Sequence, residues 1–280
     1  MRTLPKPPFT AEEVFRQSIS RVKDSELKQR LSNCLPEIIT DSDNFDIKAS
    51  SAQLHLIQDK PLVNNDVTVE EMEAVYVGRM AKIGGPGRDY YNRLRNAPVN
   101  GKCPLCGQRP VGTLDHYLPK SKHPSLAVSP NNLVPACGDC NFIKKASQPT
   151  KSEEEPLHPY YDNIETQKWL HAEVVRSNPV AFWFYISPPP GASELITERV
   201  KLHFSQYKLA DLYASEAASE LADIAFWMRE LHQSGGPEVI RQHLTDTARS
   251  CTRNQINSWK TAMYEALAND EWYWNFGAIQ

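Results

Sequence analysis

Apolar residues recur at intervals of three and four along most of this chain, and the places where that rhythm starts and stops divide it. Phe15, Ile19 and Val22 keep helical spacing behind Thr10-Ala11-Glu12-Glu13. There the threonine hydroxyl and the glutamate carboxylate three residues on can each satisfy a free backbone N–H, so a helix is expected to start. A break or cap is expected near Asp24, after which Leu27, Leu31 and Leu35 continue the helical pattern. Thr68-Val69-Glu70-Glu71 repeats the capping sequence ahead of Met72, Val75, Tyr76, Met80 and Ile83, with Gly84-Gly85 as the expected stop.

From residue 102 to 146 the rhythm disappears. Gly, Pro and Asn punctuate short segments whose apolar positions are too few to build a large core unaided, so something else must hold this part together. Residues 151–159, with three glutamates and two prolines, read as a linker or surface loop. Residues 169–175 and 181–186 suggest two short strands. Beyond Gly191 the helical pattern returns, most clearly at Leu221, Ile224, Met228 and Leu231, a stripe that suits core packing or the seam for a partner helix. Thr252 and Gln255 offer a last capping box before a helix ending near Trp272-Tyr273-Trp274 and Phe276. The expected fold is mainly α, with helical segments over residues 1–100 and 151–280 and a small, differently built core over 101–150.

With 280 residues, 40% hydrophobic and 23% charged, the chain can bury a sizeable core, which excludes a disordered or fibrous protein. Its charge-free stretch, residues 177–193, is short of a membrane span and is broken by Pro179 and Pro188-Pro189-Pro190. The proline-rich start lacks the apolar run of a signal peptide, so a cytoplasmic protein is expected. The net charge of −3 hides an asymmetry: residues 79–151 hold twelve basic and three acidic side chains, leaving +9 there and −12 elsewhere. Such a basic island suits one face for phosphates and other faces for solubility or protein partners; chance clustering of solvated charges is the alternative.

Four of the six cysteines fall as Cys103-Pro104-Leu105-Cys106 and Cys137-Gly138-Asp139-Cys140. A CxxC turn presents two sulfurs to one ion, and two such pairs suit a tetrahedral zinc site, with redox or disulfide pairs as the other possibility. A site closed by four thiolates has no open position for substrate, so zinc there would serve stability and the function would lie in the residues it clamps. Cys34 and Cys251 are expected to be buried free thiols.

Inside the clamp stand Thr113-Leu114-Asp115-His116-Tyr117-Leu118-Pro119-Lys120 and Pro130-Asn131-Asn132-Leu133-Val134-Pro135-Ala136, followed after the last cysteine by Asn141-Phe142-Ile143-Lys144. An Asp-His pair sets a hard oxygen ligand beside an imidazole that titrates near neutrality, which suits metal-assisted hydrolysis: Asp115 and Asn141 could hold Mg²⁺ or Mn²⁺ while His116 takes a proton from water. Each residue alone is more often a satisfied histidine, a helix cap or a turn. Together, CxxC, Asp-His followed shortly by Pro, Asn-Leu, and CxxC-Asn-x-x-Lys resemble the HNH endonuclease family. The resemblance covers residues 103–144 and implies a ββα-metal core, with Asp115 a metal ligand, His116 the general base, Asn132 the residue that fixes the loop and orients the histidine, and Asn141 in the place often held by histidine. Lys120, Lys122, Lys144 and Lys145 are expected phosphate contacts. The setting of TLDHYLPKS and NNLVPAC between helical flanks also resembles the PtuB-type nuclease subunit of Septu and retron anti-phage systems, which implies an ABC-type ATPase partner. The nuclease's expected partner is nucleic acid, DNA before RNA; the rival expectation is a non-catalytic zinc module that binds nucleic acid or a partner protein.

Overall fold

A computed structural model describes residues 1–144 and 149–279. It resolves into two compact units, Met1–Asn163 and Ile164–Gln280, so residues 1–100 and 101–150 belong to one body. Helices dominate both units, and strands form only two-stranded ladders.

The first unit opens with α1 (Ala11–Ile19), α2 (Ser25–Asn33) and α3 (Leu35–Ala49), then the short ladder of β1 (Leu62–Val63) and β2 (Val67–Thr68) and helices α4 (Val69–Val75) and α5 (Arg88–Arg95). Thr10 and Thr68 close the capping boxes read from their sequences, and the Asp24 carboxylate accepts from the Glu26 and Leu27 amides to start α2. The helix after Thr68 stops earlier than Gly84-Gly85: α4 ends at Val75, and Tyr76–Met80 widens into a π turn. Two antiparallel strands follow, β3 (Thr113–His116) and β4 (Leu133–Ala136), with Asp115 opposite Val134 and His116 opposite Leu133. A short helix, α6 (Gly138–Lys144), comes directly after and packs on β3.

The middle segment does not stand alone. Its Leu114, Ala127, Val128 and Leu133 share one apolar core with Phe15 of α1, Ile38 of α3, Met72 of α4 and Met80 of the π turn. Residues 151–159, expected as a linker, behave differently from their composition. Glu155 is buried because its carboxylate accepts from the His55 amide and meets the His55 ring, and Leu157, His158 and Tyr160 are buried around it.

In the second unit β5 (Leu170–Val175) pairs antiparallel with β6 (Ala181–Ile186), as the sequence suggests. Helices α7 (Glu194–Gln206), α8 (Leu209–Asn254), α9 (Trp259–Asn269) and α10 (Glu271–Asn275) complete it. The chain of α8 reverses at Gly236 (φ 73°, ψ −165°), just before Pro237, so that the rings of Trp227 and His243 meet edge to face at 6.4 Å. Of the expected stripe, Met228 is fully buried and Leu221, Ile224 and Leu231 are half-buried. A second arm of the same chain, with Ile240 and Leu244 buried, takes the place of the partner helix. The capping box expected at Thr252 is absent. Thr252 lies inside α8 with its hydroxyl on the Ala248 carbonyl, and Ser258 caps α9 instead. Among the described residues no helix is long and apolar enough to cross a membrane.

Candidate functional site

The two CxxC turns are built from backbone geometry around their sulfurs. The Cys103 amide donates to the Arg109 carbonyl at 2.8 Å and the Gly107 amide to the Cys103 carbonyl at 2.7 Å, a tight loop that needs the positive φ of Gly107 (71°). The second turn joins the end of β4 to the start of α6. Backbone amides of Arg109 and Cys140 point at the sulfurs of Cys106 and Cys137, at 3.5 and 3.4 Å. All four cysteines are buried and unoxidised, and their Sγ atoms lie within 4.8 Å of one another. A tetrahedral zinc with bonds of about 2.3 Å needs sulfurs roughly 3.8 Å apart, so a small contraction completes the fit. Hydrogen bonds among the four thiols push Cys106 and Cys137 down toward the thiolate and Cys103 and Cys140 up, so the sulfurs titrate as one cluster. This cluster could hold a metal such as zinc. Cys34 is buried as expected, whereas Cys251 is half-buried.

The strand pair brings Asp115 and His116 to the end of β3, beside the first turns of α6. The His116 ring donates from Nε2 to the Ala127 carbonyl at 2.8 Å, which leaves Nδ1 carrying the lone pair. Its edge-to-face neighbour is Tyr76 at 4.4 Å. Desolvation of the ring brings its pKa down to about 3, with Lys120 and Lys144 adding to the depression and the Ala127 hydrogen bond opposing it. The imidazole is therefore neutral at physiological pH, and its burial makes it a weaker base than a free histidine. The loop that carries Ala127 is held by Asn132, which is fully buried. The Asn132 side chain accepts from the Leu118 amide (2.7 Å) and donates to the carbonyls of Leu118 (3.0 Å) and Leu126 (3.2 Å), pinning the loop from Tyr117 to Ala127 at both ends.

Asp115 is buried, and its Oδ2 lies 3.2 Å from Nζ of Lys144, which also donates to the His116 carbonyl at 2.5 Å. Burial raises the Asp115 pKa against the pull of Lys144, and burial likewise lowers that of Lys144. Lys144 is thus no surface contact for phosphate, because its charge is committed to the carboxylate beneath it. Asn141 stands three residues before it on α6, so helical spacing puts the two on one side of that helix. Among the described residues, the cysteines are the one group of three or more His, Cys, Asp or Glu side chains within ligand reach.

The other expected phosphate contacts are also engaged. Lys120 pairs with Glu73 at 2.8 Å and Lys122 with Asp59 at 3.5 Å, while Lys145 lies outside the described residues. Two groups of the site escape sequence reasoning: Tyr76, which reads there as one more apolar helix position, and the Ala127 carbonyl, which has no sequence signature at all.

No protein-family model matches the chain, and no solved structure matches it. The chain is 26% identical over 293 residues to protein ea31 of Escherichia phage lambda, an alignment covering 97% of this chain and 98% of that protein.

Proposed function

We propose that this chain is a metal-dependent HNH-type endonuclease that hydrolyses phosphodiester bonds of nucleic acid. The observation that carries the reading is the histidine. On the last residue of β3, with its Nε2 held on the Ala127 carbonyl in the loop that Asn132 pins, His116 keeps Nδ1 as the ring nitrogen left to accept a proton from water. Support comes also from the arrangement around it: two antiparallel strands and a helix joined at a four-cysteine cluster, the ββα-metal layout that the sequence resemblance implies. In this reading Cys103, Cys106, Cys137 and Cys140 would hold zinc and keep β4 and α6 in place. Asp115 and Asn141 would hold Mg²⁺ or Mn²⁺, an ion that supplies charge stabilisation at the scissile phosphate. Until then Lys144 faces the Asp115 carboxylate at 3.2 Å. The anti-phage role and the ABC-type ATPase partner belong to the narrower resemblance, and co-purification of the chain with such an ATPase is their test.

One observation favours the rival, a zinc module that only binds: the Asp115 carboxylate is already compensated by Lys144. His116→Ala separates the two. The nuclease reading expects a folded, metal-loaded protein whose plasmid cleavage in Mg²⁺ or Mn²⁺ drops by roughly 10²–10⁴-fold. Unchanged cleavage would remove His116 as the base, and a wild-type chain with no cleavage in either metal would leave the binding module.

A further inference from the structure

The turn over residues 76–88 combines three features that its neighbours lack. Its cations are unspent: Arg79 and Lys82 have no carboxylate partner among the described residues, and Arg21 reaches the same turn through the Gly84 carbonyl at 3.5 Å, likewise without an acid. Between residues 76 and 95 there are five basic side chains and one acid, Asp89. Its tip is apolar, with Ile83 85% exposed and Val77 57% exposed. Its backbone is tightly closed. The Ala81 amide donates to the Tyr76 carbonyl (2.8 Å), Gly85 to Lys82 (2.9 Å) and Gly87 to Arg79 (3.1 Å), the Arg88 guanidinium holds the Ala81 carbonyl, and a Cβ on Gly85 would collide with the Arg79 carbonyl.

A lone exposed apolar residue is ordinary. An isoleucine held out on a rigid, cation-flanked turn is a different matter, because the turn cannot fold it back against the protein. The turn is also fastened to the site: Met80 is buried in the core, and Tyr76, at the start of the π turn, packs on the His116 ring. The expected phosphate lysines, by contrast, are paired or buried wherever they are described.

We propose that residues 76–88 form the duplex-DNA contact of the chain, with Arg21, Arg79 and Lys82 on phosphates and Ile83 entering a base step from the minor groove. Proteins that grip the minor groove in this way flank an apolar wedge with cations and recover the unstacking cost through the added contacts. The choice of DNA follows from the wedge, since duplex RNA is met mainly through its 2′-hydroxyls and phosphates, for which isoleucine offers nothing. Nucleic acid as partner rests on the nuclease reading of His116.

The test uses the full chain without added magnesium or manganese and a DNA duplex carrying 2-aminopurine at successive steps. Binding of the wild type should raise the fluorescence at one step, and Ile83→Ala should remove that rise and weaken binding about tenfold. Arg79→Ser with Lys82→Ser should lower the slope of log affinity against log salt by about two units, near 0.9 for each phosphate no longer neutralised. These side chains are exposed or half-exposed, and zinc content with circular dichroism verifies that the variants fold. Wild-type-like slope and fluorescence in the variants, equal binding of duplex RNA, or no DNA binding at low salt would overturn the proposal. Cleavage by the wild type alongside unaffected variants would sink this surface and spare the nuclease. The expected binding pattern without any cleavage in Mg²⁺ or Mn²⁺ would do the reverse.

Discussion

Asn132 spends every polar atom of its side chain on backbone that solvent does not reach, so Asn132→Ala strands the Leu118 amide and two carbonyls at once. Unsatisfied buried groups cost about 1–3 kcal/mol each, and with partial relaxation the variant should lose roughly 2–4 kcal/mol, read as a lowered urea midpoint. Cleavage should fall too, because the Ala127 carbonyl then no longer holds the histidine, whereas a purely structural asparagine would spare the rate of the folded fraction. An amide side chain suits this place because it accepts at its oxygen while its nitrogen donates twice. The charge of Lys144 is plain in the sequence, yet its commitment to Asp115 and to the His116 carbonyl, 28 residues away, depends on how α6 lands on β3.

At the scale of elements, local signals succeed where the chain decides within a turn and fail where another segment intervenes. Both threonine capping boxes form as read, and at α4 the box is also tied to α2: Arg30 grips the two oxygens of Glu71, each at 2.8 Å. That grip, with the Thr68 amide, holds the Glu71 carboxyl below its ordinary pKa. The unfolded chain therefore takes up the proton first as pH falls. The stabilisation is complete above the ordinary value of 4.5 and is lost as pH drops through the lower folded value. Glu71→Gln can keep the capping hydrogen bond but not the charge. The gap in urea midpoint between wild type and variant should be present at pH 6 and shrink toward pH 3. Gly236 marks the failure. The helical reading beyond Gly191 passes over Gly235-Gly236-Pro237, where the chain reverses through a backbone conformation open essentially to glycine alone. Gly236→Ala should destabilise the second unit by about 1–3 kcal/mol, visible as a lower thermal midpoint with the first unit's metal content unchanged.

At the scale of the whole molecule, all four cysteines lie in the Met1–Asn163 unit, so metal removal should act there. Purified protein should carry close to one equivalent of zinc. A strong chelator, or Cys137→Ser, should strip hydrogen-exchange protection first from β3, β4 and α6 while α7 and α9 keep theirs. Uniform loss across both units would contradict a local clamp. The shared apolar core changes what that clamp has to do. Composition pointed to a middle segment held by metal, whereas Leu114, Val128 and Leu133 also pack with Phe15, Ile38 and Met72, so the metal adds to burial instead of replacing it. The sequence by itself determined the starts of α1, α2 and α4, the two strands after residue 169, the pairing of the cysteines into two turns, and the adjacency of Asp115 and His116, because each is settled by residues within a few positions of one another. Tertiary structure alone decided which lysines stay available, where the π turn sets Tyr76, and which carbonyl fixes the histidine. Those outcomes depend on partners such as Glu73, 47 residues from Lys120, and on the backbone of a loop. A charge or a carbonyl carries no mark in sequence of the distant group that will meet it.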